Sequence, residues 1–155
     1  MLPTVFPFVI SGSSQTEVYV GGLEEIGVAD AINTMLLATT SARPGGDATA
    51  GVLRLFPVWK ISGGGNASFS KLLAKGGFEV SASFNNDTGL VGDVSITARA
   101  DARCAVLSPW ASLGARVRVT SGAVSVPLEW GKNGDGVFAF DVHAGSVYDI
   151  AEGAD

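Results

Sequence analysis

The sequence is short of cysteine and of histidine, the two residues on which many small enzymes and metal sites depend. Cys104 is the only cysteine of the 155 residues, so the chain has no internal disulfide. His143 is the only histidine. Because a structural zinc site needs about four Cys or His ligands, no metal is expected, and no other cofactor is predicted either. A nucleophilic pair would have to combine Cys104 with His143 within hydrogen-bond reach.

Charge is also scarce. Charged residues make up 16% of the chain, with 10 Lys and Arg against 15 Asp and Glu, whereas average soluble proteins carry about 25%. The basic residues are scattered and form no footprint that could neutralise phosphates, so nucleic acid is not expected as a partner. The mean hydropathy is +0.34, and some apolar surface is therefore expected to face another domain or a second copy of the chain.

Long apolar runs are missing as well. None approaches the roughly 20 residues that a membrane-spanning helix needs, so no membrane association is predicted. Residues 1–10 are apolar, but they contain two prolines and no basic residue. They form a poor signal peptide and are better interpreted as a buried segment of a domain that begins upstream. The cellular compartment stays open on these grounds.

An amphipathic helix is predicted over about residues 23–38. Apolar residues recur there at the three- and four-residue spacing of a helix, namely Leu23, Ile26, Ala29, Ile32 and Leu36. Glu24 and Glu25 fall in the first turn, where carboxylates interact favourably with free N–H groups. Val28 and Met35 widen the apolar stripe, so the helix is expected to need neighbours that cover it.

The next segments alternate between loop and regular structure. A loop is predicted over 39–51 and an extended segment over 52–59, in which Pro57 excludes a central sheet position. Residues 68–75 are predicted to form a short second helix that ends at the glycines following it.

From residue 77 onward the pattern changes to the period of two that is typical of half-buried strands. Alternating apolar residues over 78–84, the turn residues 85–89 and a second run over 90–98 predict a hairpin. Further strands are predicted at 104–107, 115–120, 123–128, 136–141 and 146–150. This spacing predicts a mainly β fold, an antiparallel β-sandwich over 61–155 preceded by the amphipathic helix and the short second helix.

Carboxylates and tryptophans remain as candidates for chemistry and binding. Glycosidases commonly use two carboxylates, but Glu24 and Glu25 are adjacent on a helix and point in different directions. No catalytic residue is therefore assigned. Trp110 and Trp130 are candidate sugar contacts, because a flat ring can stack on the apolar face of a sugar. Packing inside the sandwich is the alternative for both, and for Trp59.

Five segments, in this order, resemble the end of the catalytic region and the C-terminal β domain of glycoside hydrolase family 95. They are Asp30–Leu37, Gly51–Trp59, Ser68–Val80, Cys104–Trp110 and Gly145–Ile150. The resemblance extends from about Tyr19 to Ile150. Members of this family are inverting α-L-fucosidases and some α-galactosidases, with the active site in an (α/α)6 barrel.

The resemblance implies that residues 1–60 are the remnant of the end of the helical catalytic domain, including its last barrel helix, and that residues 61–155 are the C-terminal sandwich. The family's general-acid glutamate lies upstream of these segments. Its Asp-Gly-Asn-Phe-Gly motif corresponds here to Gly21–Gly27, in which that aspartate is not preserved. The resemblance therefore assigns no catalytic residue, and it implies a secreted or periplasmic enzyme.

Three hypotheses about function follow. The first is a non-catalytic accessory domain whose partner is the upstream barrel, with a homodimer as the alternative partner. The second is a free-standing carbohydrate-binding module that uses Trp110 or Trp130 to bind an oligosaccharide. The third is a small hydrolase built on Cys104 and His143.

Overall fold

The computed structural model describes residues 22–40, 51–59, 65–110, 116–131 and 134–153. The predictions for the apolar segment 1–10 and for most of the loop 39–51 lie outside these residues. The chain divides into two units, residues 1–32 and residues 33–155. The described part of the first unit is helical.

Helix α1 spans Gly22–Leu36, which confirms the helix predicted from the apolar spacing. Its side chains from residue 27 to residue 34 are exposed. Val28 exposes 59% of its surface and Ile32 exposes 46%. Two branched apolar side chains one helical turn apart are thus open to solvent in this chain.

The described residues of the second unit form eleven strands. They are β1 (Leu37–Thr40), β2 (Val52–Leu55), β3 (Ala67–Ala74), β4 (Phe78–Asn85), β5 (Leu90–Ala98), β6 (Ala102–Leu107), β7 (Val117–Ser121), β8 (Val124–Ser125), β9 (Glu129–Trp130), β10 (Val137–Val142) and β11 (Val147–Glu152). The first sheet has the order β1-β2-β6-β10-β9, and the second has the order β3-β4-β5-β11-β7-β8. Among the described strands every neighbouring pair is antiparallel except β2 with β6. The predicted β-sandwich is confirmed.

The core lies between the two sheets and is filled by alternate residues of their strands. Phe138, Phe140 and Val142 of β10 are buried, as are Val80 and Ile96 of the second sheet. Because successive side chains of a strand point to opposite faces, this alternation places one apolar face of each sheet inside. The predicted 78–84 and 90–98 hairpin is confirmed as β4 and β5, which pair from Phe78 with Ala98 to Asn85 with Leu90.

The predicted short second helix over 68–75 is wrong, because this segment forms strand β3. Its Leu-Leu-Ala sequence favours a helix locally, but two helical turns alone are marginal in water. As a strand, the segment pairs with β4 and buries Phe69. Lys71, with φ of 56°, forms a bulge at which its N–H donates to Ser81 Oγ at 3.0 Å. Pairing with β4 therefore overrides the local preference.

Two predicted boundaries also change. The helix ends at Leu36 instead of residue 38, since residues 37–40 pair with β2 as strand β1. Strand β2 ends at Leu55 and not at residue 59, because Phe56 has a left-handed φ of 48° and the chain turns there. Both β1 and β2 belong to the first sheet of the sandwich, although the resemblance assigned residues 1–60 to the remnant of the helical domain.

Candidate functional site

The cysteine and the histidine are placed in different surroundings. Cys104 lies in β6 opposite Phe140 and is fully buried. This burial raises the pKa of its thiol from 9.0 to about 12 by disfavouring the thiolate. His143 follows β10 and is 77% exposed, with its Nδ1 atom 3.8 Å from Asp101 Oδ1. The third hypothesis, a hydrolase built on these two residues, gains no support, because a buried and protonated thiol lacks the nucleophilic form.

The described residues contain no group of three or more Cys, His, Asp and Glu side chains able to hold a metal ion. In the same part of the chain, no helix is both long enough and apolar enough to cross a membrane.

Trp110 is part of the core. It exposes only 2% of its surface, and its indole Nε1 donates a hydrogen bond to the Val91 carbonyl at 3.2 Å. Neither face of its ring is open to a sugar. Trp110 therefore packs inside the sandwich. The prediction that it contacts a sugar is wrong, because its ring is buried in the hydrophobic core.

The other two tryptophans differ in exposure. Trp59 is partly buried against the core, and its Nε1 donates to the Gly65 carbonyl at 2.8 Å. Trp130 is 48% exposed on the edge strand β9. Its ring lies 5.5 Å from that of Phe138, centroid to centroid. Trp130 is therefore the sugar-contact candidate whose ring reaches the surface.

A cleft of about 480 Å³ lies beside this edge, and we call it the β8–β10 cleft. Its polar lining includes Arg103, Ser125, Glu129, Asp141, His143 and Tyr148. Strand register explains the grouping, because Arg103 of β6 lies opposite Asp141 of β10, and Glu129 of β9 lies opposite Ala139. Cross-strand neighbours share one face of the sheet, so three charged side chains meet at this face.

The cleft carries one guanidinium and two carboxylates. Arg103 Nη2 donates to Glu129 Oε2, and Arg103 Nη1 lies 3.6 Å from Asp141 Oδ1. All three side chains are more than a third exposed, so the ion pairs contribute at most about 1 kcal/mol each. The cleft therefore offers acceptors and donors suited to a hydroxyl-rich ligand, and its own charges remain hydrated.

Two hydrogen bonds from backbone N–H groups hold the turn beside the cleft. Tyr148 Oη accepts a hydrogen bond from the His143 N–H at 2.8 Å, and Asp101 Oδ1 accepts one from the Ala144 N–H at 2.8 Å. These bonds connect the turn after β10 to β11 and to the start of β6. They fix the turn in which His143 stands.

No protein-family model matches the chain, and no curated protein is significantly similar to it. Function is therefore inferred from the residues of the chain and from their geometry.

The charged group in the cleft was missed by sequence analysis. Arg103 and Glu129 are 26 residues apart, and neither belongs to a motif. In the sequence, each is a charged residue at an outward-facing position of a strand. Most solvated charged residues of a β-sheet occupy such positions, so the pattern does not single these two out. Only the register of β6, β10 and β9 shows that these charges are neighbours.

Proposed function

We propose that the chain is the non-catalytic C-terminal part of a glycoside hydrolase family 95-like enzyme. In this proposal α1 is the last helix of an (α/α)6 barrel, and the sandwich is an accessory domain that supports the barrel. Hydrolysis of α-L-fucosides or α-galactosides would belong to the whole enzyme, since no catalytic residue is assigned to this chain.

The observation that carries the proposal is the continuity between an apolar helix and the sandwich. α1 ends at Leu36, and β1 begins at the next residue. The Leu36 carbonyl accepts a hydrogen bond from the Phe56 N–H at 2.8 Å, which ties the last helical turn to the end of β2. The last helical turn and the end of β2 therefore share a backbone hydrogen bond, while Val28 and Ile32 are exposed.

The segments that carry the resemblance also overlap strands and turns of the sandwich, which supports the proposal. Ser68–Val80 covers most of β3 and enters β4, and Cys104–Trp110 covers the buried part of β6 and the buried indole. Gly145–Ile150 covers the turn with φ of 80° and the start of β11. Similar residues therefore fall where a related sandwich would need them for turns and core.

The test is association with a barrel supplied in trans. The tagged chain is co-expressed with a family 95 enzyme truncated before its last barrel helix, and we expect a one-to-one complex by gel filtration. Val28→Asp with Ile32→Asp should weaken the complex at least tenfold, about 1.4 kcal/mol, because charges replace apolar contacts. Val124→Asp is the matched control, since Val124 is 68% exposed on β8 and outside the helix.

Two results would count against this proposal. One is the absence of any complex with the barrel, and the other is equal weakening by the helix variants and by Val124→Asp. A homodimer that is lost in the helix variants would assign the exposed helix to self-association instead.

A second candidate function is sugar binding at the exposed edge, and Trp130 favours it. The preceding residue of β9, Glu129, lines the β8–β10 cleft. Trp130 lies on the opposite face of the same strand, because successive side chains alternate. The ring and the cleft thus flank one short edge strand. An oligosaccharide that crosses the edge could stack on the ring and hydrogen-bond to the cleft.

Titration with fucosylated and galactosylated oligosaccharides tests this candidate. Saturable quenching of tryptophan fluorescence is expected at millimolar sugar, and Trp130→Ala should lower the affinity at least tenfold, about 1.4 kcal/mol. Leu73→Ala, at a residue 65% exposed on β3, is the control and should bind as the unmodified chain does. A flat response at saturating concentrations would eliminate this function.

A further inference from the structure

The chain contains two Asn-x-Ser/Thr sequences, Asn66-Ala67-Ser68 and Asn86-Asp87-Thr88. In secreted proteins, such a sequence without proline in the middle is the acceptor motif for N-linked glycosylation. The remaining asparagines, at positions 33, 85 and 133, lack Ser or Thr two residues later. The motifs are therefore confined to two places in the chain, 20 residues apart.

The fold brings these two places together. Asn66 directly precedes β3, Asn86 begins the turn between β4 and β5, and β3 pairs with β4 from Ala67 opposite Phe84. The Asn86 N–H donates a hydrogen bond to Asn66 Oδ1 at 2.7 Å. Both asparagines are exposed, as are Ser68 and Thr88. One end of the sandwich thus presents both motifs at its surface.

We propose that Asn66 and Asn86 form a paired site of N-linked glycosylation. The donor is an oligosaccharide carried on a polyprenyl diphosphate. The asparagine Nδ2 attacks C1 of the first sugar, the C1–O bond to the diphosphate breaks, and a C1–N bond forms. The amide nitrogen gives up one proton to a base of the transferase, and polyprenyl diphosphate leaves.

The hydrogen bonds at this end are compatible with glycans on both residues. Modification consumes an N–H of Nδ2 and leaves Oδ1 as an acceptor, so Asn66 Oδ1 continues to accept the bond from Asn86. The turn itself is held by Asn85, whose Oδ1 accepts from the Asp87 N–H at 2.9 Å and the Thr88 N–H at 3.1 Å. Gly89 closes the turn with φ of 67° and an N–H bonded to the Asn85 carbonyl at 2.8 Å.

The two asparagines lie at one end of β3, and the residue that begins β1 lies near the other end. Leu37, the first residue of β1, lines a depression together with Leu72 near the far end of β3. Asn66 and Leu72 are separated by up to about 20 Å of strand at 3.3 Å per residue. The two attachment points therefore lie at the opposite end of β3 from this depression. The glycosylation proposal rests on secretion of the chain, which the family resemblance implies, and it uses no contact of the proposed accessory domain.

The experiment uses the full chain, secreted from yeast behind a cleavable signal peptide and carrying an added C-terminal Asn-x-Thr reporter motif. Peptide N-glycosidase converts each glycosylated asparagine to aspartate, which mass spectrometry of peptides detects. We expect conversion at Asn66 and Asn86 and none at Asn85. Ser68→Ala should remove only the first glycan, Thr88→Ala only the second, and Thr88→Ser should retain the second.

A chain glycosylated at the reporter but at neither Asn66 nor Asn86 would overturn the proposal. Glycosylation at one of the two residues alone would overturn the pairing. The thermal unfolding midpoint of the glycosylated chain is compared with that of the enzymatically deglycosylated chain. A drop of the midpoint in the glycosylated form would show that the glycans conflict with the fold, contrary to the proposed retention of the Asn66 hydrogen bond.

Discussion

Replacing Trp110 with alanine is expected to lower the free energy of unfolding by about 3–5 kcal/mol. The ring is 98% removed from solvent, and it connects the end of β6 in the first sheet to β5 in the second through its bond to the Val91 carbonyl. Removal leaves a cavity in the core and takes away the indole donor to the Val91 carbonyl. Since domains of this kind are stable by only about 5–15 kcal/mol, much of the total is lost.

Urea unfolding followed by circular dichroism measures this loss. Trp110→Phe separates the two contributions, because it keeps most of the ring and removes the N–H donor, at a cost of about 1 kcal/mol for the hydrogen bond. Trp130→Ala is the matched control, with an expected loss of about 1 kcal/mol, because its ring is half exposed. Equal losses at Trp110 and Trp130 would contradict the assignment of Trp110 to the core.

The second large effect is slow alkylation of the Cys104 thiol in the folded chain. With its pKa raised from 9.0 to about 12 by burial, the thiol at pH 8 has a thiolate population roughly a thousandfold smaller than an exposed cysteine. Alkylation by iodoacetamide is expected to be slower in the folded chain than in urea by at least that factor. Mass spectrometry over time measures both rates, and comparable rates would show that the site is open.

The same shift predicts a loss of stability at high pH. The native chain keeps the thiol protonated, whereas the unfolded chain ionises it above pH 9. The contribution of this thiol to the free energy of unfolding is therefore fully present below pH 9. It decreases by about 4 kcal/mol in total as the pH rises from 9 towards 12. Cys104→Ala removes the titrating group and is expected to show a shallower decline over this range. An identical decline in both chains would refute the linkage.

Much of the sandwich could be predicted because its signals are local. The alternation over 78–84 reports directly which residues of β4 face the core, and Asn85 with Gly89 specifies the turn through short-range hydrogen bonds. The segment that became β3 shows the opposite case. Its local preference is helical, and a partner strand together with the bulge at Lys71 decides its conformation.

The candidate sites divide in the same way. Trp110 and Trp130 have similar local surroundings in the sequence, each near a proline or a turn. The residues around them do not indicate which of the two rings is buried. The answer depends on the second sheet, which supplies the Val91 carbonyl to Trp110 and leaves Trp130 on an edge. Likewise the Arg103–Glu129 pair exists because β10 lies between β6 and β9.

The sequence by itself determined the mainly β class, the presence of helix α1, the central hairpin and the lack of histidine and cysteine clusters for catalysis or zinc. These properties follow from composition and from periods of two and 3.6 residues, which each segment carries alone. Only the tertiary structure decided the strand order, the charged cleft, the burial or exposure of each tryptophan and the proximity of Asn66 and Asn86. Those features depend on hydrogen-bonded pairing between strands distant in the chain, and no local pattern encodes that pairing.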